Sequence, residues 1–306
     1  MSNPNNKFSP CPICNKEDIG FLLYSKDYSL TQDAFQIIQC AHCDLKYTDP
    51  APSKEAIGPY YNFPAYISHT DDKTGLINKL YHSVRNHTLD QKTNWVQSLF
   101  TGYKGHLLEV GAGTGAFAHA MTKKGWAVTA LEPDAASRER ALATYQIKIA
   151  PIEELFTLTE NKFDVITLWH VLEHVHDLNE YLSTFNKILR PNGRLIIAVP
   201  NYTSFDAQFY KKYWAAYDVP RHLYHFSPTS MEYLSKKFKM QIVTMRPMWF
   251  DSFYVSLLSE RYKKTGVFGM LRAVIIGCIS NIIALRNNRR ASSIVYEIKK
   301  ITKDQF

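Results

Sequence analysis

Four of the five cysteines lie within the first 43 residues as two pairs, Cys11-Pro-Ile-Cys14 and Cys40-Ala-His-Cys43. Two residues between thiolates let both sulfurs of a pair converge on one ion, and two pairs complete a closed tetrahedral shell. Four protein ligands leave no open coordination position, so the spacing predicts a structural zinc that folds a module too small to hold itself together. A redox dithiol or an iron–sulfur cluster are the alternatives that soft thiolates permit. His42 reads as a bystander within the second pair, and Cys278, in an apolar run, as a small buried hydrophobe.

A second chemistry is written in Leu107-Leu-Glu-Val-Gly-Ala-Gly-Thr-Gly115. Gly111, Gly113 and Gly115 permit a tight turn and close backbone approach to a ligand at the start of a helix. The glycines alone are a weak signal, since with Ala116 they also satisfy a dinucleotide fingerprint, and Glu132 could grip ribose hydroxyls in either case. Glu109 separates the two. A carboxylate at the strand end facing the loop repels a pyrophosphate and suits a ligand carrying an amino group and a positive charge.

Two further clusters carry titratable groups: His170-x-x-Glu173-His174, and Asp218-Val-Pro-Arg221-His222-Leu-Tyr-His225. In the first, capping and anchoring of the next loop is the leading reading. In the second, histidines beside Tyr213, Trp214, Tyr217, Tyr224 and Phe226 suggest a water-excluding wall with a base near neutral pH. His222, or failing that His225, is the expected base, with Asp218 in the same cluster and Arg221 orienting an anionic group of the substrate. A packed aromatic loop whose histidines satisfy backbone carbonyls is the structural alternative.

Positioning these groups requires a sheet. Short apolar runs at His106–Val110, Ala127–Leu131, Ile147–Ile149, Phe163–Leu168 and Arg194–Val199 alternate with helical stretches, which predicts a mostly parallel sheet covered on both faces, a three-layer α/β sandwich of Rossmann-like type. Asp177 with Glu180 predicts a helix start before Tyr181, Ser227 with Pro228 another, and Pro191-Asn192-Gly193 a turn. The organisation expected is a zinc-ribbon-like module over 1–49, a linker and helical lead-in over 50–104 with an aromatic stretch at Tyr60–Tyr66, and a main domain over 105–306. Ligands of such sheets sit at the carboxyl ends of the strands.

The ordered set Glu109-Val-Gly111-Ala-Gly113-Thr-Gly115, Glu132-Pro133, Phe163–Ile166, Trp169–Val175 and Leu189–Leu195 resembles the class I S-adenosylmethionine-dependent methyltransferases, over about residues 105 to 300. The resemblance implies a seven-stranded sheet whose last two strands, Met240–Met245 and Ser292–Lys300, include one antiparallel member. It implies that Glu109 and Gly111 to Gly115 line the methionine part of the cofactor and that Glu132, followed by Pro133, holds the ribose. Ile152 and Glu153 would flank adenine, and Trp169 and His170 would border the sulfonium pocket. The chain is more similar still to the bacterial members with an N-terminal zinc module, many of which act in surface-polysaccharide and lipid metabolism. The stretch at 170–174 is similar to the Glu-x-x-Glu-His of quinone-pathway O-methyltransferases, with His170 in place of the first carboxylate, so no metal is expected there.

The net charge of +8 is not spread evenly. Residues 1–230 carry 22 basic against 23 acidic residues, and residues 231–306 carry 14 against 5. Within 249–290, the segment Gly266–Leu285 is twenty mostly apolar residues flanked by basic ones. Arg272 inside it argues against a transmembrane helix. Packing on the domain or on a second copy is the leading reading, and a helix lying on an anionic membrane the other. Methyl transfer to a small-molecule or glycan or lipid-precursor acceptor, at oxygen or nitrogen, is the function expected. An RNA methyltransferase and a non-catalytic scaffold are the alternatives, and no DNA partner is expected. Residues 1–49 hold four basic against six acidic residues, which disfavours RNA. With a polar Met1–Lys7 and no secretory signal, the cytosol or the inner face of the membrane is the expected compartment.

Overall fold

A computed structural model of the chain describes residues 8–61 and 76–301, so Met1–Lys7 and most of the Tyr60–Tyr66 stretch lie outside the described residues. Three strands come first, β1 (Ile19–Lys26), β2 (Ala34–Cys40) and β3 (Lys46–Thr48), then a long helix α1 (Leu76–Ser98). An alternating series follows: β4 (His106–Val110), α2 (Ala116–Lys123), β5 (Ala127–Leu131), α3 (Ala135–Tyr145), β6 (Phe163–Trp169), α4 (Leu178–Ile188) and β7 (Leu189–Pro200). The last third holds α5 (Phe205–Tyr210), β8 (Tyr224–His225), α6 (Pro228–Lys237), β9 (Met240–Pro247), α7 (Asp251–Tyr262), α8 (Gly266–Arg286) and β10 (Ser293–Lys300).

The larger sheet has six strands in the order β5-β4-β6-β7-β10-β9, with β10 antiparallel to both neighbours and β5, β4, β6 and β7 parallel. The seventh strand expected from Ile147–Ile149 is reduced to one parallel bridge, Leu131 to Ala150. Pro151 follows immediately with no N–H to extend a ladder, and a 3-10 helix begins at Ile152. The Pro191-Asn192-Gly193 turn is looped out of β7 instead of preceding it, since Phe163 pairs with Leu189 and Val165 with Arg194. The strands read as continuous apolar runs because both faces are covered, and Leu107, Leu108, Val165, Ile166, Leu195 and Ile197 are all fully buried. Both sequence-level helix starts are present. Asp177 accepts the Glu180 N–H, and Ser227 and Ser230 form a reciprocal cap with Pro228 at the first helical position.

The smaller sheet has the order β1-β2-β3-β8 and is antiparallel throughout. Its fourth strand comes from far along the chain: Lys46 pairs with His225 and Tyr47 with Tyr224. Among the described residues, the cysteine-bearing segment is therefore completed by the second titratable cluster.

Candidate cofactor and acceptor site

The first strand of the large sheet, β4, delivers Glu109 and then the glycine loop. Gly111, Gly113 and Gly115 all have positive φ, at 71°, 53° and 80°. A side chain at Gly111 would put its Cβ 2.4 Å from Val171 Cγ2, while at Gly113 no atom lies within 4 Å. The loop is therefore packed shut on the Val171 side and open at its crest, where a ligand can approach backbone. Glu132, at the end of β5, accepts from the Gly113 N–H at 2.8 Å and the Asp134 N–H at 3.0 Å. It thereby fixes the loop, and its remaining lone pairs suit ribose hydroxyls. Arg138 donates to the Glu132 and Pro133 carbonyls, both at 2.7 Å, which holds this corner rigid. Ile152 is buried and Glu153 exposed on the 3-10 helix after the Ala150 bridge.

Glu109 is 3% exposed and one of its carboxylate oxygens has no partner. Burial pushes it up to about 8, against the pull of Lys92 and of the Ala118 N–H that its other oxygen meets. An orphaned buried carboxylate on the strand that leads into a glycine loop is chemically suited to an ammonium group such as the amino-acid end of S-adenosylmethionine.

Trp169 ends β6. Its ring packs edge-on against Phe117 at 5.4 Å, and Lys92 of α1 lies 4.5 Å from its centroid. Beside it opens a cavity of about 390 Å³ lined by Lys92, Trp95, Trp169, Arg246, Trp249 and Asp251, among others. Arg246 sits 5.0 Å over the Trp95 ring, and the indole N–H groups of Trp95 and Trp169 are buried without partners. Neither Lys92 nor Asp251 was singled out from the sequence. They lie on separate elements, α1 and the start of α7, that only the fold brings to one cavity.

His170 has a left-handed backbone, φ 58°, with its N–H held by the Ala198 carbonyl at 3.0 Å. Its ring lies between Asp251 (3.1 Å) and Glu173 (3.5 Å). Burial disfavours its charged form, but hydrogen bonding to these carboxylates wins and lifts it to about 9. His170 thus ties Asp251 of the cavity wall to Glu173. Glu173 is fully buried and clusters with His174 and His222, their ligand-type atoms lying within 4.8 Å of one another. Burial, seconded by His222, lowers His174 to about 4.

The second cluster corrects two expectations. Arg221 is buried, donating to Asp218 at 2.9 and 2.6 Å, to Asp27 of the N-terminal module at 2.9 Å and to the Tyr60 carbonyl at 3.0 Å. Its guanidinium is consumed by this tie, as is Asp218, and neither is offered to a substrate anion. His225 is in β8 against β3, 3% exposed, with its Nε2 3.4 Å from Thr48 Oγ1, and burial holds its pKa well below the usual imidazole range. The segment's aromatic wall is the seam between the two sheets. His222 is 9% exposed, bonds the Ala216 carbonyl through Nδ1 at 2.8 Å and meets the His174 ring at 4.6 Å.

At the other end of the small sheet, the sulfurs of Cys11 and Cys43 are 3.4 Å apart, as are those of Cys14 and Cys40, and all four lie within 4.8 Å of one another. A tetrahedron with Zn–S of about 2.3 Å has edges of about 3.8 Å, so one ion closes the set and this is a structural zinc site.

The parallel-rich sheet, the glycine crest after β4 and the carboxylate at the end of β5 are the arrangement that the resemblance to the class I S-adenosylmethionine-dependent methyltransferases implied. A family model described as a methyltransferase domain matches residues 84–244, more than half of the chain, and the chain belongs to that family. Among curated proteins it is 33% identical over 105 residues to the ubiquinone biosynthesis O-methyltransferase of Caulobacter vibrioides, covering 32% of this chain and 41% of that one. With the same enzyme of Bordetella avium it shares 28% over 120 residues, 36% of this chain and 49% of that one. The chain thus spans less than half the length of these relatives. Among solved structures, magnesium protoporphyrin IX methyltransferase from Synechocystis PCC 6803 with bound S-adenosylhomocysteine has the same fold. Its TM-score is 0.52 at 12% identity, over 81% of this chain and all of that one.

Proposed function

We propose that this protein methylates an oxygen of a small, flat acceptor that carries an acidic or anionic group, seated in the cavity beside Trp169. The observation that carries this reading is the cavity lining: three indoles for a planar frame and two cations, Lys92 and Arg246, while the lining carboxylate Asp251 is engaged by His170. Aromatic walls favour planar ligands, and cations held over those walls favour anionic oxygen. Oxygen is preferred over nitrogen because the curated relatives are O-methyltransferases.

Bound S-adenosylmethionine supplies a methyl carbon already activated by its sulfonium. The protein's part is to orient and to move a proton. Trp95, Trp169 and Trp249 hold the acceptor frame, and Lys92 and Arg246 stabilise its oxyanion. Among the histidines, His222 is the proposed proton acceptor, placed outside the cavity lining in the cluster that Glu173 and His170 connect to Asp251 of the cavity wall. The His222 Nδ1–H donates to the Ala216 carbonyl, which leaves the Nε2 lone pair available, and buried Glu173 lies in the same cluster. Glycan- and lipid-precursor acceptors fall within the same class where they present such an oxygen.

A panel of phenols, carboxylates and amines, assayed with labelled cofactor, tests the reading. Anionic aromatic acceptors should be methylated, and Arg246→Met should raise their KM by about tenfold or more with cofactor affinity unchanged. Methylation of amines alone, or a parental KM in the Arg246 variant, would contradict it. His222→Ala should lower kcat by about 100-fold with cofactor affinity unchanged, and a parental kcat would remove His222 from the mechanism.

A further inference from the structure

The hairpin of α7 and α8 has two unlike faces. Gly269, Ala273, Ile276, Gly277, Ser280 and Ala284 turn inward, and Gly277 admits the Phe253 ring where a Cβ would lie 2.5 Å away. Arg272 reaches across to α7 and donates to both oxygens of buried Glu260 at 2.6 Å, so its charge is neutralised within the hairpin. Ser280 donates to Asp206 at 2.7 Å and Asn281 to the Trp249 carbonyl at 2.8 Å. The outward face is apolar. Phe268 is 87% exposed, Val267 86% and Leu285 72%, with Leu271, Val274 and Ile282 continuing the stripe. Cys278, expected to be buried, is exposed. A continuous apolar helix face of this length is not left to water without a partner.

Though α8 is long and apolar enough to cross a bilayer, only a third of its most apolar window is buried, and both its ends are held on the domain. It follows α7 after three residues and is followed within seven by β10, which lies inside the large sheet. Residues 251–290 carry seven basic residues against two acidic. One of the two acids is spent on Arg272 and the other, Asp251, on His170. Arg289 pairs with Glu232 of α6, while Arg261, Lys263 and Lys264 at one end of the apolar stripe and Arg286 and Arg290 at the other have no acidic partner among the described ion pairs.

We propose that the outer face of α8 is an interfacial membrane-binding surface that lies flat on an anionic bilayer, apolar side chains among the acyl chains and basic ends at the head groups. Charge decides the occupant. In a symmetric dimer the same patch meets itself, so Arg261, Lys263, Lys264, Arg286 and Arg290 of both copies would be brought together around the apolar seam, and Glu232 is already engaged by Arg289. An anionic leaflet supplies the missing sign, and an apolar stripe with basic flanks is what the interface selects. The hairpin starts at Asp251 on the cavity wall, so the docked face and the cavity share one element.

Flotation of the full zinc-loaded chain with vesicles of phosphatidylglycerol and phosphatidylcholine tests this, with pure phosphatidylcholine vesicles alongside. The protein should float with the anionic vesicles at low salt, less at high salt and least with the neutral ones. Phe268→Glu/Leu271→Glu, altering exposed side chains only, should keep its melting temperature and lose binding by on the order of tenfold or more. Protein that stays at the bottom of the gradient with anionic vesicles at low salt overturns the proposal. So does a dimer in sedimentation that the double variant converts to monomer, which would make the face a self-association surface.

Discussion

A carboxylate that is 3% exposed, with one oxygen unpartnered, is costly to ionise, and in the free protein Glu109 is held near 8 for that reason. The sign of the consequence follows from linkage. Between its ordinary value of 4.5 and about 8 the folded chain keeps a proton that the unfolded chain releases, so the stability Glu109 contributes is present below 4.5 and lost as pH rises through about 8. An ammonium ligand selects the ionised form, so affinity for S-adenosylmethionine should climb from pH 6 toward about 8 and then level. In equilibrium dialysis, Glu109→Gln should bind about tenfold or more weakly at pH 9 and show a flat profile. A pH-independent affinity in the parent, equalled by the variant, would contradict the role assigned here. The Cys11, Cys14, Cys40 and Cys43 cluster and the tight turn at Gly111 and Gly113 were legible in the sequence because both depend on local spacing. Lys92 and Asp251 were not, because nothing near either residue in the chain announces the cavity they share.

At the scale of elements, β8 explains why the 218–225 cluster was misread. Titratable and aromatic residues in a loop after a strand resemble an acceptor wall, but whether the loop faces ligand or core depends on what covers it. Here β3 covers it, from nearly two hundred residues away, and Asp27 takes the guanidinium of Arg221. The missing seventh strand was legible in part: Pro151 marks where a ladder must stop, while the apolar run before it suggested one. The seam also predicts coupling between zinc and the rest of the chain. Removing the ion with a chelator should unravel β1–β3, strip β8 of its partner and leave Arg221 without Asp27. We expect the melting temperature to fall by about 10 °C or more and turnover to be lost with it. A chelated protein that melts and turns over like the loaded one would show the module to be independent of the site.

The whole molecule is a glycine-crested, mostly parallel sheet joined to a cysteine-bearing antiparallel sheet and to a basic, apolar-faced hairpin whose Tyr262 packs on Tyr28 of that smaller module. Its architecture was readable from alternating strand and helix signals, and its charge asymmetry from composition. The destination of that charge was not, since the sequence left packing, self-association and membrane open for the same twenty residues. All of these readings presuppose that the crest accepts a cationic amino-acid nucleoside. The most direct measurement is calorimetric titration of the zinc-loaded chain with S-adenosylmethionine and, separately, with NAD. One equivalent of S-adenosylmethionine should bind, with proton uptake by the buffer at neutral pH, and NAD should give no heat. Saturable binding of NAD, or none of S-adenosylmethionine, would contradict the account.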